Sequence, residues 1–132
     1  MRSRLLAGAL LSLAACGTVP SPPSPLADSA WRVSSINGRP TPAGPAAYSM
    51  NFERERLAAR FGCNHIGGNY RVSGSTLTTD ALVMTEMACA EPAASFEAQG
   101  TAILMQPMAI GRSGARMTLS NRVGSIELVR TD

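Results

Sequence analysis

The chain has 132 residues, with twelve Arg, no Lys and nine acidic residues, for a formal charge of +3. Arg is scattered singly with no basic run of five or more, whereas a nucleic-acid footprint needs positive charge clustered on one face, so no nucleic-acid partner is expected. Only six residues are aromatic, and a single modest core must therefore lean on Ile, Leu, Val and Met.

The N-terminus reads MRSRLLAGALLSLAACGTVPSPPSP. Arg2 and Arg4 form a positive start, residues 5–15 an apolar run, and small residues lead up to Cys16. That is the layout of a secretory signal peptide over residues 1–15, and the run falls short of the roughly 20 apolar residues a bilayer span needs. Leu13-Ala14-Ala15-Cys16 also resembles a bacterial lipobox. The resemblance implies lipidation at Cys16, which becomes the first residue of the mature protein, and a membrane contact through that anchor. Gly17 rather than aspartate follows the cysteine, the pattern of a lipoprotein held in the outer membrane, facing the periplasm. Removing Arg2 and Arg4 leaves ten Arg against nine acids, close to neutral. Prolines at 20, 22, 23 and 25 favour an extended tether over residues 16–28, at about 3.1 Å per residue. A single domain is expected over residues 29–132, as a monomer.

Short strands follow by period and punctuation. WRVSSING alternates Trp31, Val33 and Ser35 on one side and ends at the turn signal Asn37-Gly38. YSMNF alternates Tyr48, Met50 and Phe52, and RLAARFG follows a charged turn. NYRVSGSTL puts Tyr70 and Val72 on one face and turns at Ser73-Gly74-Ser75. ALVMTEM, RMTLSN and SIELVR complete the strands. This regular spacing leaves little room for crossover helices and predicts an antiparallel meander closing toward a barrel. EPAASFEAQGTAILMQP is the one predicted helix, with Phe96, Ile103 and Leu104 on a stripe and Gly100 costing about 1 kcal/mol of propensity relative to alanine. The expected core is Trp31, Phe52, Phe61, Tyr70, Leu82, Met84, Phe96, Ile103, Leu119, Ile126 and Leu128.

With Cys16 lipidated, Cys63 and Cys89 remain as an even pair, 26 positions apart, in an oxidising compartment. One disulfide is expected between them, on neighbouring strand-associated segments.

The residues Trp31, Ile36-Asn37-Gly38, Phe61-Gly62-Cys63-Asn64, Gly68 and Tyr70, then Leu82, Thr85, Met87, Ala88 and Cys89, and a helix carrying Glu97, resemble the META domain family. That family is also called HslJ-like, after a heat-inducible envelope protein. The resemblance spans the mature domain and implies a mainly β fold, a small antiparallel lipocalin-like barrel with one short helix. It implies structural roles for Gly62, Asn64, Gly68, Tyr70, Thr85 and Met87, and no established enzymatic activity. Gly100 stands where a bulkier apolar residue is expected.

FGCNHIGGNYRVSG, residues 61–74, gathers the only histidine, one cysteine and four glycines. Zinc at Cys63, His65 and Cys89 would need a fourth ligand or an open catalytic position, and no further His or Cys is available, so neither metal nor other cofactor is expected. A Cys63–His65 nucleophile pair has no recognisable orienting group. His65 is expected in an exposed loop, the glycines to permit backbone geometry at a strand corner, and Asn64 to bond its own backbone. The stretch then reads as a strand corner stapled by a disulfide.

Four functions follow in order of preference. The first is a non-enzymatic envelope lipoprotein with a role in envelope integrity or stress and antibiotic tolerance, as the resemblance implies. The second is a small-molecule or lipid carrier, since barrels can enclose a ligand. The third is an inhibitor of a periplasmic or host hydrolase through the NGRPTPAGPAAY loop, and the last an enzyme.

Overall fold

The computed structural model describes residues 12–44 and 48–132. The basic start and most of the apolar run of the signal peptide lie outside the described residues, as do residues 45–47 of the NGRPTPAGPAAY loop. In chain order the elements are β1 (Ser29–Ile36), β2 (Arg39–Pro40), β3 (Tyr48–Phe52), β4 (Arg56–Phe61), β5 (Ile66–Ser73), β6 (Thr76–Met84), α1 (Ala93–Leu104), β7 (Met108–Ser113), β8 (Arg116–Ser120) and β9 (Ser125–Arg130).

Every strand pair is antiparallel, and pairing of β9 back onto β1 closes eight strands into a barrel, with the two-residue β2 added to the end of β1. Strand side chains alternate between the two faces of a sheet, and the burial follows that period. Ser29, Trp31 and Val33 of β1 point inward, as do Tyr48, Met50 and Phe52 of β3 and Leu57, Ala59 and Phe61 of β4. Ser34 of β1 is an extra residue against β9. Past this bulge Ser35 leaves the inward face expected for it, pairing with the exposed Glu127 and donating to its carboxylate at 2.9 Å, while Ile36 faces inward opposite Ile126. The Asn37-Gly38 turn has φ of 52° and 75°, both in the left-handed region that this dipeptide tolerates.

The interior is filled by the chain's own side chains. Trp31, Met50, Phe52, Phe61, Leu77 and Met117 are all buried. The helix α1 lies against β4, β1 and β9 at one end of the barrel, with Phe96, Gly100, Ile103 and Leu104 on its buried side. Glu91, just ahead of the helix, accepts from the Ser95 backbone N–H (3.2 Å) and hydroxyl (2.7 Å), standing in for an N-cap that Pro92 cannot supply. At the other end Leu26 is buried beneath the start of β1, so the folded unit takes in part of the stretch read as tether. Ser29 links the two by donating to the Leu26 carbonyl and accepting from Trp31 Nε1 at 2.8 Å.

Four expectations change. β7 has no counterpart in the sequence reading, because MAIGRS buries only Met108 fully and carries no clear alternation. ALVMTEM is not a separate strand; it supplies the end of β6 and then leaves the sheet. Met84 is 40% exposed rather than in the core, and Leu82 is only partly buried. A bulge shifts the register here: Gly67 pairs with Val83 and Asn69 with Asp80, so Ala81 and Leu82 are fitted opposite Gly68 alone, with Ala81 at φ 50°. Past it Val83 turns outward, while Met84 shares the face of its buried partner Ile66. β7 covers β6 only at Thr76 and Leu77, so beyond them nothing in the sheet covers that side of β6.

Gly100 is the fourth. A Cβ there would sit 2.5–3.0 Å from three atoms of Phe61, so the absence of a side chain lets the helix rest on that ring. A bulkier residue would push α1 off the barrel.

Both tyrosines are buried in the wall, Tyr48 edge-on to Phe96 (5.5 Å) and Tyr70 edge-on to Phe52 (5.1 Å). Burial raises both phenol pKa values above the ordinary 10.0, a rise that Arg39 partly offsets at Tyr48. The unfolded chain then gives up these protons first, so their contribution is complete below pH about 10 and is lost as pH rises through the folded-state values. With no Lys to titrate in that window, denaturant unfolding at pH 8 and pH 11 should show lower stability at the higher pH. The difference should shrink in Tyr48→Phe and Tyr70→Phe; an unchanged difference would assign it elsewhere.

Candidate functional site

β4 ends at Phe61, and residues 62–65 bend into β5. After Met84 the chain runs through residues 85–92 and enters α1. These two segments meet at one corner. Gly62 lies flat on the first turn of the helix, where a Cβ would come within 2.7 Å of the Ala93 carbonyl and 3.2 Å of Glu97 Cβ. Cys63 and Cys89 form a disulfide with Cα atoms 5.7 Å apart, inside the range the bond requires. Cys63 lies in a bend and Cys89 in an irregular segment, neither on a strand, which corrects the expected strand-associated placement.

Asn64 is the hub of the corner. Its side chain is buried and donates from Nδ2 to the Met87 carbonyl (3.0 Å), while Oδ1 accepts from the Met87 N–H (2.7 Å) and from Thr85 Oγ1 (2.9 Å). Thr85 Oγ1 in turn accepts from the His65 N–H at 3.0 Å, and the Thr85 N–H donates to the His65 carbonyl at 3.1 Å. One amide side chain thus does for residues 85–87 what a neighbouring strand would do. Asn64 bonds a segment more than 20 residues away, not its own backbone as expected, and has no left-handed φ.

Of the residues singled out from sequence, Gly62, Cys63, Asn64, Thr85, Met87 and Cys89 come together here. Met87 takes part through its backbone, its side chain being 53% exposed. Gly68 and Tyr70 lie away from the corner. Gly68 makes room for Leu82 and the Asp80 carbonyl, 2.7 and 2.9 Å from where a Cβ would stand, and the Tyr70 hydroxyl donates to the Glu53 carbonyl. None of Gly62, Gly67 and Gly68 has a positive φ, so close approach at 62 and 68, not unusual backbone geometry, is what these positions use. His65 is exposed and its backbone serves the corner. Cys16 is exposed and unpaired, outside the barrel.

Sequence reasoning missed the part played by Glu97. It is 7% exposed, with Oε2 2.8 Å from Cys89 Sγ and Oε1 buried without a partner. The available signal was spacing: Glu97 falls on the same helical stripe as Gly100 and Leu104, a charge on a buried face.

Replacing Asn64 by leucine keeps the volume but removes three hydrogen bonds and strands the Met87 N–H and carbonyl. An unsatisfied buried group costs about 1–3 kcal/mol, so a loss of about 2 kcal/mol or more is expected in urea unfolding. A change within 0.5 kcal/mol, the range of ordinary surface substitutions, would show that Asn64 is not the hub.

A closed eight-stranded antiparallel barrel, one helix at its end and a disulfide corner tying the two together define a small β-barrel module with a filled interior. Residues 24–132 match the META domain, and the chain belongs to that family. Two solved structures have the same fold. An NMR structure of one protein aligns with a TM-score of 0.70 at 21% identity, covering 79% of this chain and 90% of that one. An NMR structure of a protein from Burkholderia xenovorans aligns with a TM-score of 0.61 at 21% identity, covering 87% and 93%. A search of curated proteins finds no match.

Proposed function

We propose that this META domain protein is a non-enzymatic envelope lipoprotein, anchored in the outer membrane through acyl chains on Cys16. It faces the periplasm and serves envelope integrity or stress and antibiotic tolerance. The observation that carries the reading is the placement of Cys16. It is exposed and free of a disulfide partner, in an exposed stretch ahead of the buried Leu26. Among the described residues no helix is long and apolar enough to cross a membrane. More than one acyl chain gives stable anchoring where one is marginal.

Two observations support a role without catalysis or carriage. The Cys63 sulfur is tied to Cys89 and is therefore not a nucleophile beside His65. The barrel interior is occupied by core side chains, which weighs against a carrier. A groove of about 770 Å³ lies on the outside instead, between Met105, Pro107 and Val123.

Cell fractionation of a Cys16→Ala variant tests the anchor. The variant should leave the membrane fraction or stall in processing, and should fail to restore growth under envelope stress to a strain lacking the gene. Unchanged processing and membrane retention would overturn the anchor.

A further inference from the structure

Glu97 is a buried acidic side chain with one carboxylate oxygen orphaned and the other against a sulfur. A disulfide sulfur has no proton to give, so that contact does not offset the cost of taking a carboxylate out of water. Buried polar atoms without partners are rare enough to need a reason, an ion that completes the site being one. The donor atoms of Cys63, Cys89 and Glu97 all lie within 4.8 Å of one another. A tetrahedral zinc ion with bonds of about 2.3 Å to sulfur and 2.0–2.2 Å to oxygen holds its donors roughly 3.5–3.8 Å apart. Small side-chain rotations reach that spacing once the two sulfurs are no longer bonded, and the Cα separation of 5.7 Å keeps both within reach of one ion.

We propose that reduction of the Cys63–Cys89 bridge opens a site for a thiophilic divalent cation, Zn²⁺ foremost, held by both sulfurs and Glu97. A dithiol supplies the two electrons and two protons that convert the disulfide to two thiols, and is itself oxidised to a disulfide. Binding then releases the two thiol protons to solvent, leaving two thiolates and one carboxylate on the ion. Two sulfur donors select zinc over magnesium or calcium. Both cysteines are half-buried, which leaves a path to solvent and a fourth position for water. Asn64 Nδ2 lies 3.6 Å from Cys89 Sγ, placed to support a thiolate there with an N–H. The expectation of no metal rested on the lack of a fourth ligand for Cys63, His65 and Cys89 and on carboxylates falling in no ligand-like motif; the fold brings Glu97, not His65, to the two sulfurs. The site is independent of the anchor at Cys16.

The test uses the full chain carrying Cys16→Ser, which removes the other thiol. The protein is reduced with a dithiol, freed of it under anaerobic conditions, and titrated with Co²⁺ followed optically and with Zn²⁺ followed by calorimetry. One equivalent should bind, with sulfur-to-cobalt charge transfer, and the oxidised protein should bind none. Glu97→Gln should weaken binding at least tenfold, with circular dichroism reporting the fold of both reduced proteins. No binding to the reduced protein, or equal affinity in Glu97→Gln, would overturn the proposal. A reduced chain that unfolds and binds through a loose dithiol would show that equal affinity, and counts against it.

Discussion

Replacing Trp31 by alanine is expected to cost about 3–5 kcal/mol, the range for removing a fully buried large aromatic side chain. A domain of this size has roughly 5–15 kcal/mol in total, so the variant should be marginally folded at best. Trp31 is 1% exposed and stands where the barrel meets the incoming chain. Its indole N–H donates to Ser29, which holds the Leu26 carbonyl, while the guanidinium groups of Arg112 and Arg130 lie 5.2 and 5.8 Å from the ring centre. Truncation therefore opens a cavity and loosens the Leu26 plug together. Far-UV circular dichroism in urea measures the loss without relying on the deleted fluorophore. In the wild type the single tryptophan should emit as a buried indole; emission like that of indole in water, or a cost below about 1 kcal/mol, would contradict its place in the core.

Removing the disulfide is the second large effect. Cys63 and Cys89 close a loop across a sequence separation of 26, for which the chain-entropy treatment gives about 3–4 kcal/mol. For a domain of 60–100 residues each kcal/mol moves the midpoint by about 4–8 °C, so the Cys63→Ala/Cys89→Ala protein should melt well over 10 °C lower. Asn64 holds the same loop through Met87, so the two restraints are coupled. Adding Asn64→Leu to the double alanine protein should cost less than in the bridged protein, because residues in one network do not contribute additively. Full additivity would mean the bridge and the amide act on separate parts of the structure.

The parts of this fold legible in the sequence are those set by local period and by counting. Alternation placed Trp31, Tyr48, Met50 and Phe52 correctly, and two cysteines left after Cys16 had only each other. What stayed hidden depends on tertiary contact. Met84 continues an apolar run and pairs with the buried Ile66, but β7 covers β6 only at Thr76 and Leu77, and Met84 at the far end of the strand is left exposed. Gly100 is poor by helix propensity, yet the ring of Phe61 fills the place of its side chain, and packing outweighs about 1 kcal/mol of propensity. Asn64 looked like a turn residue because turn residues bond locally, whereas its partners lie more than 20 positions on. Glu97 was visible only as a charge on a buried stripe; its contact with sulfur needs the corner to be folded.

The most direct test of the stapled corner is mass spectrometry of protein taken from the native cell envelope, alkylated under denaturing conditions and read at the peptides carrying Cys63 and Cys89. Without reductant neither cysteine should take an alkyl group, and after reduction both should. Alkylation of both without reductant would show free thiols and contradict the staple on which the corner is built.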